Sequence, residues 1–105
     1  MSRAIDQVRH CNNMAEVRAG VDALDDLLVP LLVRRGGYMT QAARVKNDTA
    51  LVRDEARIQA IIDRVRPLAE AQGGNAELIE HIYRALMECY IAYEHDELAR
   101  LRGRG

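Results

Sequence analysis

The sequence predicts an all-α chain of three helices, one much longer than the others, and three observations carry that reading. Apolar side chains recur at alternating spacings of three and four through most of the 105 residues. Two clusters of turn-forming residues, Asn47-Asp48-Thr49-Ala50 and Gly73-Gly74, interrupt the pattern. No β-hairpin signal, internal repeat or low-complexity linker competes with it.

The first helix is expected to run from Met14 to about Lys46. Asn12 and Asn13 can cap it, and Glu16 stands three residues after Asn13, in the capping-box position. Its seam is Met14, Val17, Val21, Leu24, Leu28, Leu31, Arg35, Tyr38, Ala42 and Val45. Pro30 removes one helix hydrogen bond, and Gly36 and Gly37 each cost about 1 kcal/mol against alanine. A kink is expected near Pro30. The heptad phase survives on both sides of the proline, which argues for one bent helix over two separate ones.

A second helix is expected from Val52 to Gln72 through Ile58, Ile61, Ile62, Val65 and Leu68, with Pro67 bending it or ending it early. Asn75 can cap a third, which passes through Leu78, Ile82, Leu86, Tyr90 and Tyr93 to about Leu101. The whole chain reads as one domain, with residues 1–13 and 102–105 expected to be flexible. Three helices of this size make a thin core, and oligomerisation would supply the missing burial.

Composition narrows the function classes. The formal net charge is −1, so no global field favours nucleic acid or an anionic membrane. Trp and Phe are absent, which leaves no obvious platform for stacking bases. Cys11 and Cys89 have neither metal spacing nor a disulfide framework, so a reducing compartment is the simpler assumption. The N-terminal residues lack an apolar signal core, and no apolar run reaches membrane-spanning length. A soluble cytoplasmic protein is expected.

Charged residues on apolar lanes mark the candidate site. Arg35 takes a slot meant for an apolar side chain, and a guanidinium there needs an anion, either an acidic residue of another helix or a ligand. Arg18 and Lys46 face the same way but lie about 42 Å apart along the axis. One small ligand cannot touch both from a single chain, so sites using both must be shared between antiparallel copies. Arg35 and Lys46 are separated by roughly 16 Å, a gap that two long side chains can close around one ligand.

The third helix repeats the puzzle with the opposite charge. Met87, Ile91, Glu94, Leu98 and Leu101 share a lane. A desolvated carboxyl at position 94 favours its protonated form, which can donate to an ether or hydroxyl oxygen; the alternative is a solvated edge position or an arginine partner. Arg57 reads as part of an exposed charge cluster, Arg53-Asp54-Glu55-Ala56-Arg57. His10, His81 and His95 lack ligand spacing, so neither metal nor other cofactor is expected. No nucleophile and base pair can be read around Ser2, Thr40, Thr49 or either cysteine. Cations and one acid without a nucleophile suit a reaction in which a small polycarboxylate is held in a reactive conformer while charge developing on an oxygen is stabilised.

Three runs carry a family resemblance: Val17-Arg18-Ala19-Gly20-Val21-Asp22-Ala23-Leu24-Asp25, then Arg34-Arg35, then Ala42-Ala43-Arg44-Val45-Lys46. They resemble the first helix of the all-helical chorismate mutases and of the related isochorismate pyruvate lyases. Tyr90-Ile91-Ala92-Tyr93-Glu94 is similar to the third-helix site motif, especially of the lyase branch. The resemblance implies an intertwined homodimer with two equivalent shared sites. It implies that Arg35 and Lys46 of one chain, with Arg18 of the other, grip a dicarboxylate substrate. Arg57 then stands near the substrate ring, Tyr90 lines the site and Glu94 meets the ether oxygen.

Two activities follow from that resemblance. The mutase rearranges chorismate to prephenate; the lyase eliminates pyruvate from isochorismate and leaves salicylate. Ile58, where many mutases carry Glu, and the short connection from Lys46 to Arg57 point to the lyase, whereas Glu94 in place of Gln points to the mutase. Chorismate mutase is the expected activity, with the lyase second and an amino-substituted chorismate also open. A non-catalytic helical dimerisation module, an inactive relative regulating another shikimate-pathway enzyme, and an activating partner enzyme stay open as well.

Overall fold

A computed structural model of the chain describes residues 7–103. It is all-α, with three α-helices in the order α1 (Met14–Lys46), α2 (Glu55–Ala71) and α3 (Ala76–Gly103). The chain divides into two compact units, Met1–Arg35 and Gly36–Gly105. Residues 1–6, 104 and 105 of the segments expected to be flexible lie outside the described residues.

The start of α1 is set locally. Asn13 Oδ1 accepts from the Glu16 N–H at 2.9 Å, and the Glu16 carboxylate reaches back to the Asn12 N–H at 3.1 Å. Two N–H groups without intrahelical partners are thereby satisfied by one reciprocal pair. Pro30 does not interrupt the helix, which continues to Lys46. A proline forfeits one bond of the ladder, and the turns on both sides keep theirs. Asn47 ends α1 with a φ of 49°, a left-handed conformation that asparagine tolerates better than most side chains.

In the first unit the expected seam stands open. Met14, Val17, Val21, Leu24, Leu28 and Leu31 are between 38% and 57% exposed.

The second unit holds the core. Asp48 accepts from the Ala50 N–H at 2.9 Å and opens a short 3-10 turn, Thr49–Leu51, inside the segment expected to be a loop. Helix α2 starts at Glu55, later than the expected Val52, because Asp54 caps it: Asp54 Oδ1 accepts from the Arg57 N–H at 3.0 Å. Pro67 does not end it. The stop comes at Gly73, whose φ of 73° only glycine adopts freely, with the Gly74 N–H returning to the Ala69 carbonyl at 2.8 Å. Asn75 caps α3 through the Leu78 N–H at 3.1 Å. The helix runs past Leu101 to Gly103, and Arg102 donates to the Asn47 carbonyl at 2.8 Å.

Helices α2 and α3 form an antiparallel pair around Ile61, Ile62, Val65 and Met87, with Ile58, Ile79 and Tyr83 packed against them. Ion pairs bracket this core. Arg53 meets Glu88 at one end, and Arg66 meets Glu77 and Glu80 at the other. A second cluster joins Ala43 of α1, Val52 and Leu98, with Ile91 and Leu101 against it. Leu68, Leu78 and Ile82, part of the expected helical pattern, remain half exposed. The buried lane of α3 is the neighbouring one, Met87, Glu94 and Leu98, because that face meets the rest of the unit. Among the described residues no helix is long and apolar enough to cross a membrane.

Candidate active site

Lys46, the last residue of α1, and Glu94, in the middle of α3, meet in the second unit. Lys46 Nζ stands 3.2 Å from Glu94 Oε2. The carboxylate is 3% exposed, whereas the lysine side chain keeps 30% of its surface in solvent. The short connection after α1 adds a weaker contact, since Lys46 Nζ also donates to the Val52 carbonyl at 3.5 Å. An ammonium delivered from the solvent side on a flexible stem offsets the desolvation of a buried carboxylate at modest cost to itself. Glu94 is therefore not a solvated edge position, and the lysine that meets it is the only one in the chain.

The remaining candidates divide between the units. Arg57 lies in the first turn of α2 with an exposed side chain that makes no ion pair among the described residues. Tyr90 stands one turn before Glu94 and packs on α1: a Cβ built on Gly36 would lie 3.6 Å from its ring. Arg18 and Arg35 belong to the first unit, Arg18 exposed and Arg35 partly buried. The structure thus brings Lys46 and Glu94 into contact and seats Tyr90 beside Gly36.

Sequence reasoning missed a second buried acid. Glu97 lies one turn beyond Glu94 and is 9% exposed. Arg100 donates to its two oxygens at 2.8 and 3.1 Å, and the Thr40 hydroxyl donates at 2.6 Å. The Arg100 guanidinium above all, then the Thr40 hydroxyl, hold the Glu97 carboxyl down to about 2 against its partial desolvation, with Tyr93 adding a smaller contribution. The i, i+3 spacing of Glu94, Glu97 and Arg100 was visible in the sequence, as was the solitary lysine. The approach of Thr40 was not, because 57 residues separate it from Glu97.

An ammonium and a carboxyl side by side can bind a carboxylate, or donate to an oxygen on which charge builds. Lys46 can turn toward a ligand because it already reaches solvent, whereas Glu94 is buried and then needs a donor from the ligand in its place.

The chain is similar in sequence to known proteins. The chain is 28% identical over 93 residues to the isochorismate pyruvate lyase of Pseudomonas aeruginosa, a match covering 89% of this chain and 92% of that protein. The family model for chorismate mutase type II matches residues 17–95, a span that includes Arg18, Arg35, Lys46, Arg57, Tyr90 and Glu94. The chain belongs to the chorismate mutase type II family.

Proposed function

We propose that the protein is a chorismate mutase, working as a homodimer whose two sites each draw on both copies. The observation that carries this reading is the buried contact of Lys46 with Glu94, within the stretch the family model matches. In the rearrangement the ether C–O bond breaks as a C–C bond forms, and electrons move round a six-membered ring without leaving the substrate. The protein need supply no nucleophile. It needs to hold both carboxylates in the reactive conformer and to stabilise negative charge gathering on the ether oxygen.

Each candidate has a role in that task. Arg35, with Arg18 from a second copy, grips the carboxylates, because guanidinium forks match carboxylate geometry. Arg57 and Tyr90 line the ring side. Lys46 and Glu94 face the ether oxygen, Lys46 as a hydrogen-bond donor. Sharing follows from the sequence separation of Arg18 and Lys46, which on an ideal helical rise amounts to about 42 Å, more than one small ligand can span. The open apolar seam of residues 14–31 supports the second copy, as it offers a long surface for it to cover.

A second reading is favoured by the Pseudomonas aeruginosa relative, whose name assigns it isochorismate pyruvate lyase activity. The same cations would hold isochorismate while pyruvate is eliminated and salicylate is left. Incubating the purified protein separately with chorismate and isochorismate decides between them: prephenate is expected from the first, and salicylate from the second would move the assignment to the lyase. With neither product, a cyclic dicarboxylate ether still separates a retained pocket, which gains thermal stability, from a module that has none.

A further inference from the structure

Gly36, Thr40, Ala43 and Lys46 follow at spacings of four, three and three, so they share one face of α1. Gly36 and Ala43 are buried, and Gly36 lies against the rings of Tyr90 and Tyr93. Small residues let a helix approach its neighbour closely. They also supply no large knobs to resist sliding or rotation, so the register of such a face must come from directional contacts.

Among the described residues, the directional contacts that join this end of α1 to α3 include Thr40 with Glu97, Lys46 with Glu94, and Arg102 with the Asn47 carbonyl. The Lys46 contact is the one that a bound anion would compete for. The Arg102 contact is made by an exposed side chain. Thr40 and Glu97 remain. Their bond is short, at 2.6 Å, and Arg100 donates to both oxygens of the acceptor.

We propose that the hydrogen bond from Thr40 to Glu97 is a register lock: it holds the end of α1 on α3 so that Lys46 stays aimed at Glu94 while the lysine exchanges partners with a ligand. Thr40 and Glu97 are thus positioning residues. Neither touches the substrate. Because Thr40 and Lys46 ride on the same helix, a slip or turn at one displaces the other. The i, i+3 relation of Glu94 and Glu97 places both acceptors on neighbouring positions of one α3 face. The kinetic consequence rests on the mutase reading above, whereas the structural one does not.

The solitary lysine makes the lock observable. Protein grown with lysine labelled at 13Cε gives a single side-chain signal, that of Lys46. Distinct shifts for its two Hε protons are expected in the native protein and in Thr40→Ser, and averaged ones in the near-isosteric Thr40→Val. Glu97→Met, which removes the acceptor, should produce the same averaging, and the double variant should add nothing further. For turnover of chorismate, Thr40→Val is expected to lower kcat on the order of 10- to 100-fold with KM changing less, and Thr40→Ser to restore it. A native Lys46 signal in Thr40→Val, additive effects in the double variant, or failure of serine to rescue would each overturn the lock. A native protein inert toward chorismate overturns the mutase reading instead, and the lysine signal still judges the lock.

Discussion

Residues 14–35 and 36–46 belong to one uninterrupted helix, yet their side chains meet opposite ends. In the first stretch the large apolar residues Val21, Leu24 and Leu28 are about half exposed, whereas in the second the small residues Gly36 and Ala43 are buried and Tyr38 and Val45 stand out at 72% and 70%. Burial in the second stretch follows from smallness, which lets α1 lie directly on α3. Exposure in the first leaves apolar area unmatched. At about 1.5–3 kcal/mol for fully burying one large apolar side chain, six half-exposed ones leave on the order of 5 kcal/mol available to whatever covers them. Hydrophobic periodicity therefore announces a face that wants a partner without saying whether the partner lies in the same chain.

The contrast can be broken or sharpened by substitution. The largest effect is expected at the last residue of the first stretch: Arg35→Ala should cost on the order of 10²–10³ in kcat with chorismate, with helical circular dichroism retained. Unfolding without a selective rate loss would make Arg35 a structural ion-pair member. Next, Ile62→Ala should destabilise by about 2–5 kcal/mol at any protein concentration, because its partners lie within its own unit. Leu28→Ala should cost less in dilute solution and progressively more where two copies associate, a difference that urea melts at several concentrations will read. Identical behaviour of the two variants would remove the proposed second copy.

Smaller effects probe the polar contacts of the second unit. Glu94→Ala should lower mutase turnover, by less than Arg35→Ala does, and Glu94→Gln, whose amide can still hydrogen-bond the ether oxygen, should keep more of it. Unaltered turnover in Glu94→Ala would take Glu94 out of the mechanism. Glu97 acts on stability instead. Its folded-state value of about 2 lies below the ordinary carboxylate range, so its contribution is complete above about pH 5 and fades as the solution approaches pH 2. Glu97→Gln should make unfolding midpoints fall less steeply across that window. The smallest change is Gly37→Ala, expected to stabilise by up to about 1 kcal/mol, since an added Cβ there meets nothing within 4 Å. A lowered melting temperature would mean that a second copy covers that side of α1.

Much of the fold is legible in the sequence. The caps at Asn13 and Asn75, the glycine stop at Gly73-Gly74 and the existence of three helices depend on hydrogen bonds and dihedral angles spanning a few residues, and such signals lie in adjacent letters. Continuity through Pro30 was legible in the same way, from the heptad phase on both sides. Lys46 and Glu94 could be named as candidates because each falls beside or within an apolar lane, where a charge demands a reason.

Only the tertiary structure decided which of two adjacent apolar lanes was buried on α3, that Glu94 is answered by lysine, and that Thr40 reaches Glu97. Those outcomes depend on contacts between residues tens of positions apart, such as the 48 that separate Lys46 from Glu94. A helix pattern repeats with nearly the same strength on neighbouring faces, so the choice between faces falls to close packing against another element. Local hydrogen bonding determines where each helix begins and ends; long-range packing determines which side of it looks inward and which charges meet there.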